Sequence, residues 1–244
     1  MAKNDIHISP QIDEKKQEEI MAKYDREFAF RKIDGAMGKV LMIIAICWSL
    51  IQLYTAAFGV FPSTIQRGQH LGFAMFLIYV LYPMRKKNKS NKIPWYDAIF
   101  ALLSVFVSGY HIVFYKEIIH RAGSYTDLDI FVSITAIFLV LEATRRIAGP
   151  VLVSVASIFL MYAYLGSMFP GFLSHRGYTI NRIATYGWMS TESILGTPIM
   201  VSSTFIFLFL LFATYLKKTG IGDWLTDLAM GVAGGATGGP AKAA

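Results

Sequence analysis

Six long apolar runs, at 40–61, 69–84, 95–115, 128–144, 148–169 and 198–216, constrain this chain more than any other feature. A helix rises 1.5 Å per residue, so each run is long enough, or nearly so, to cross the ~30 Å hydrocarbon core of a bilayer. Lipid cannot hydrogen-bond a bare backbone, which leaves helices and closed barrels as the spanning structures. Unbroken runs without dyad alternation select helices. The expected fold is therefore all-α: a polytopic integral membrane protein with about six transmembrane helices plus interfacial amphipathic helices.

Basic residues orient it. Seventeen Lys and Arg fall on one side: the segment before the first run, the connections from second to third and from fourth to fifth, and Lys217 and Lys218. The other side holds Arg67, Lys116, Arg121, Arg176 and Arg182. Lysine and arginine collect in cytoplasmic loops, so the N-terminus is expected in the cytoplasm. The formal net charge of +7 then reads as orientation signals and headgroup contacts with the lipid bilayer, with no nucleic acid partner. Nearly forty residues carrying eight acids precede the first run, unlike a cleavable signal peptide, so that run is a retained anchor. The one cysteine, Cys47, lies inside it; this excludes a disulfide within the chain and is expected to be a small buried hydrophobe.

Residues 11–34 carry Ile20, Tyr24 and Phe28 at helical spacing, an amphipathic cytoplasmic segment or a solvated tail. Trp95 and Tyr96 form an interfacial aromatic pair after the basic turn at 85–94. Ser104 and Ser108, with Gly109 beside them, offer a small-residue face for close helix approach. Glu142 precedes Arg145 and Arg146 by three and four residues, the spacing of a structural ion pair on one helix. Between the fifth and sixth runs, Ile180, Ile183, Ala184 and Gly187 fall on one helical stripe, with Trp188 beside them and Asn181, Arg182 and Thr185 elsewhere. That stretch is expected to be an outer interfacial helix feeding the last span through 196–198. Gly220 suits a helix C-cap after Lys217 and Lys218, and an amphipathic helix with Ile221, Leu225, Leu228 and Val232 on one face follows. It leads into a Gly/Ala-rich run at 231–244, an odd place to stop, so the expectation is the N-terminal part of a longer polypeptide, the alternative being a flexible tail.

Catalytic signatures are missing. No phosphate loop, His-Glu-x-x-His or Gly-x-Ser-x-Gly occurs. Glu117 and His120 have Glu-x-x-His spacing, and His111 lies nearby. A di-metal bundle needs a second copy and further carboxylates, so an interfacial polar rim is the better reading and no metal, catalytic or cofactor residue is assigned. The chain is not expected to be an enzyme.

Several stretches carry a family resemblance. Residues 183–244 contain Ile194-Leu195-Gly196-Thr197-Pro198, a Phe/Leu-rich span, Lys218-Thr219-Gly220-Ile221, Trp224-Leu225-Thr226-Asp227-Leu228-Ala229 and a Gly-Gly-Pro. In order and spacing they resemble the start of the large (M-type) subunit of TRAP (tripartite ATP-independent periplasmic) transporters. Four spans before the joint at 144–150 resemble the small (Q-type) subunit. The division expected is 1–39 cytoplasmic, 40–147 Q-like and 148–244 M-like, with 128–144 assignable to either part. Covalent joining resembles the fused permeases paired with TAXI-type binding proteins. The resemblance implies a multi-pass permease of the cell inner membrane. It would import organic acids or amino acids delivered by an extracytoplasmic binding protein, driven by Na⁺ or H⁺, with the ion site outside this chain. The rest of the permease is then a partner, and this part alone is not transport-competent. Arg176, Arg182 and Lys116 are the outer cations best placed to dock an acidic binding protein, or to anchor at headgroups. A non-transport membrane scaffold or assembly subunit is the alternative.

Overall fold

A computed structural model describes residues 30–31, 33–84 and 93–233 of the chain. The amphipathic segment carrying Ile20, Tyr24 and Phe28, most of the basic turn and the end of the Gly/Ala-rich run lie outside the described residues. Among those described there are helices and no strand. In chain order they are α1 (Gly35–Phe58), α2 (Ser63–Leu81), α3 (Trp95–Val113), the short α4 (Tyr115–His120), α5 (Asp127–Ile147), α6 (Pro150–Leu165), α7 (Ile180–Met189), α8 (Thr197–Val201), α9 (Phe207–Thr219) and α10 (Ile221–Ala233). A π-helical stretch, Ser202–Ile206, joins α8 to α9 in one continuous helix.

All six apolar runs are helical, and polar content sorts them by position. Four helices, Gly35–Phe58, Trp95–Val113, Pro150–Met168 and Thr197–Thr219, are long and apolar enough to cross a membrane. Three of these are nearly bare, with 17%, 6% and 6% of their apolar windows buried, as for side chains meant for lipid. By contrast, α2 and α5 reach 19 and 21 residues but carry Gln66, Arg67, Gln69 and His70, and Asp127, Asp129, Glu142, Arg145 and Arg146. They can do so because they sit inside. Met75 and Tyr79 of α2 pack in the core with Val107 of α3 and with Val132, Ala136 and Leu139 of α5. The Tyr79 hydroxyl donates to the Leu139 carbonyl at 2.5 Å.

Small residues set the closest approach. Ser104 and Ser108 of α3 are buried against Gly72 of α2, where any Cβ would collide with the Ser108 side chain. Gly109 faces open space, so the close face is Ser104 and Ser108 without it. Cys47 departs from expectation: it is exposed on the outward side of α1, because that helix packs through Leu41, Gln52 and Thr55.

Glycines and caps end the helices. Gly149, at φ 92°, reverses the chain before Pro150 opens α6, a backbone state an L side chain rarely takes. Gly220, at φ 75°, closes α9 in the left-handed region, and α10 starts at the next residue. Thr126 and Asp129 form a reciprocal capping box at the start of α5.

Candidate functional site

Three polar clusters pin this bundle. At the end expected to face the cytoplasm, the Arg31 guanidinium lies 2.5 Å from Asp97, and Arg146 lies 2.8 Å from the other carboxylate oxygen of Asp97. Arg146 Nε also donates to Glu142 at 2.9 Å, and Arg145 Nε and Nη2 both reach Glu142 at 2.7 Å. Three guanidiniums thus share two carboxylates. The C-terminus of α2 makes up part of the difference, since Arg31 donates to the Val80 carbonyl and Arg146 to that of Tyr82. Carbonyls at a helix C-terminus carry the negative end of the helix dipole. Arg146 also stacks over Tyr79, 4.7 Å from the ring centre.

At the opposite end the fully buried Asp129 accepts from Tyr110 at 2.6 Å and from Arg121 at 2.9 Å. Its second oxygen takes the Thr126 hydroxyl and backbone N–H, both at 2.8 Å. The carboxylate sits at the N-terminus of α5, where the dipole favours negative charge. The hydrogen bond to Asp129 raises the pKa of Arg121 above its ordinary value, so that guanidinium stays charged.

A polar junction lies toward the same end as Asp129, where Gly68 of α2 meets His111 beside Tyr110. Gln66 of α2 donates to the Gln52 side chain at 3.1 Å, to the Thr55 hydroxyl at 3.4 Å and to the Ser203 carbonyl at 3.3 Å. His70 lies one turn along α2. The Gln52 amide nitrogen can only donate, so His70 Nδ1 accepts it at 2.5 Å, and the Nε2–H donates to Ser202 at 3.1 Å. Trp48 and Phe207 contact this ring, Phe207 edge-on, and Phe73 stacks on Trp48 behind it. Ser202 and Ser203 open the π-helical stretch, where the Phe207 N–H bonds the Ser202 carbonyl five residues back. Arg67 donates to the Leu195 carbonyl at 2.7 Å and reaches that of Thr191 at 3.5 Å, fixing the turn before α8. One face of α2 therefore holds residues 191–203 in place. Buried polar side chains in a membrane bundle are costly unless paired, and such networks concentrate at working sites. Sequence reading missed this cluster: Gln52 is an isolated polar letter in the first apolar run, and Gln66 and His70 belong to a short polar stretch, 66–70, at the start of the second.

The outer cations divide. Arg67 and Arg121 are committed to the partners above. Arg176, Arg182 and Lys116 are exposed. The structure brings Arg176 and Arg182 together on one aromatic ring, at 5.8 and 5.7 Å from the centre of Tyr178. Lys116 is carried by α4 instead. His175 braces their loop by accepting the Gly177 N–H at 3.1 Å, with the opposite ring nitrogen 3.2 Å from the Tyr162 carbonyl. In α7, Ala184, Thr185, Gly187, Trp188 and Met189 are buried; Thr185, expected off the apolar stripe, turns inward by bonding the Asn181 carbonyl.

His111, Glu117 and His120 do not meet as a metal site. His111 is buried beside Trp188, whereas Glu117 and His120 are exposed on α4. Among the described residues no group of three His, Cys, Asp or Glu could hold a metal ion.

No curated protein and no solved structure matches the chain. Residues 135–244, from the middle of α5 onward, match the family model of the tripartite ATP-independent periplasmic transporter, DctM component.

Proposed function

We propose that this chain is a membrane permease component of a TRAP transporter, in which α1–α4 act as a scaffold fused to the start of the large subunit. The match over 135–244 carries the reading. The polar junction supports it, because α2, outside the matched region, grips residues 191–203 inside it. The transported class would be organic acids or amino acids, handed over by a TAXI-type extracytoplasmic binding protein and driven inward by a Na⁺ or H⁺ gradient. Neither the ion nor the substrate is assigned a ligand in this chain. Arg176 and Arg182 form the docking patch for an acidic face of the binding protein, with Lys116 as a second point on the rim. Complementary charge of this kind acts mainly on encounter and register.

The test is capture of the binding protein by the purified chain, followed by uptake into proteoliposomes containing the complete permease. Reversing both charges, Arg176→Glu with Arg182→Glu, should weaken capture about tenfold or more, equivalent to ~1.4 kcal/mol. Unchanged capture would remove the docking patch. Wild-type proteoliposomes that show no gradient-dependent uptake with the binding protein present would favour the non-transport scaffold.

A further inference from the structure

We infer that the crevice between α5, α6 and α7 is a binding site for one anionic phospholipid, with an acyl chain along the crevice and the phosphate at Arg182 and Arg176. This does not rest on the transporter reading, and it takes the other role open to Arg176 and Arg182, headgroup anchors in place of a docking patch. The crevice has a volume of about 820 Å³ and walls of Val140, Leu141, Val153, Ala156, Leu160 and Ile183, among others. Its α6 wall runs from Leu152 to Ala163. Eleven helical steps cover about 16 Å and take in most of α6, Pro150–Leu165. Within it, the Thr144 hydroxyl is already bonded to the Val140 carbonyl at 2.8 Å, so this group makes no demand for water.

The walls and the rim select the occupant. The walls are apolar side chains, which suit an acyl chain. Tyr178 and Arg182 stand at the rim, and Arg176 faces the same ring. Tyrosine favours headgroup depth, and exposed guanidiniums above an apolar slot complement a phosphodiester. Gly187 widens the floor: its missing Cβ leaves room for the Ile137 side chain, which also lines the crevice.

Native mass spectrometry of the purified chain, with dioleoyl phosphatidylglycerol or dioleoyl phosphatidylcholine added, tests this. The wild type should retain one phosphatidylglycerol, at about 25-fold lower lipid concentration than phosphatidylcholine. Arg176→Gln with Arg182→Gln should erase that preference, about fivefold per guanidinium, and leave acyl-chain binding in place. Ala156→Trp should block both lipids by filling the slot. Should that variant not fold, the exposed arginine pair still decides. Equal retention of the two lipids by the wild type, or an undiminished preference in the double variant, overturns the site. So does a disulfide in membranes between two chains carrying Ala156→Cys with Cys47→Ser, which would make a second copy the occupant.

Discussion

Asp97 shows how a single side chain organises one end of the bundle. It is fully buried between Arg31, which precedes α1, and Arg146, at the end of α5. Removing one partner from a buried ion pair leaves an uncompensated charge, at a cost on the order of 3–5 kcal/mol. Asp97→Asn should therefore lower the thermal midpoint in detergent sharply, and adding Arg146→Met should recover part of the loss. A double variant no more stable than Asp97→Asn would show that Arg146 is held by Glu142 and the Tyr82 carbonyl alone. Only part of this cluster was legible in the sequence. Glu142 with Arg145 and Arg146 is a local pattern, fixed by helical spacing. Arg31 and Asp97 lie 66 residues apart, and nothing local in the text couples them.

Among the elements, α8 and α9 show where helix periodicity stops being informative. The run 198–216 announced one helix, and one continuous helix formed. The π-helical stretch inside it draws on Gln66 from α2, which supplies a donor to the Ser203 carbonyl, and on His70, which holds Ser202. Such bulges persist where outside groups stabilise the wider turn. Gln66→Leu keeps the bulk and removes the donors, leaving buried oxygens of Gln52 and Ser203 short of a partner. The expected loss is about 1–3 kcal/mol, read as a lower unfolding midpoint. Amide exchange should rise through 202–207 more than through α6. Uniform change across both helices would mean that Gln66 supports the bundle generally and the π turn not at all. The polar runs of α2 and α5 tell the complementary story: their helices were readable from length, and their central place follows from the side chains lipid would not accept.

For the whole molecule, the charge bias and the helix sequence together specify a topology that can be measured. Four helices have both the length and the apolar composition to cross a membrane, and α2 and α5 have the length with polar faces turned inward. If all six cross, Arg176 and Lys217 lie on opposite sides, the first outside and the second in the cytoplasm. With Cys47 replaced by Ser, which its outward position on α1 should tolerate, single cysteines at Arg176 and Lys217 report the side directly. A membrane-impermeant maleimide added to intact cells or spheroplasts should label the first and reach the second only after lysis. A third cysteine at Ser124, in the turn between α4 and α5, should behave like the one at Arg176. Labelling of the Arg176 and Lys217 positions from the same side would mean that α8–α9 does not cross. Opposite sides for Ser124 and Arg176 would place α5 and α6 as a pair with a single net crossing. The second result would deny α5 and α6 a shared span and remove the lipid of the crevice between them, so the topology and the lipid site stand on one geometry.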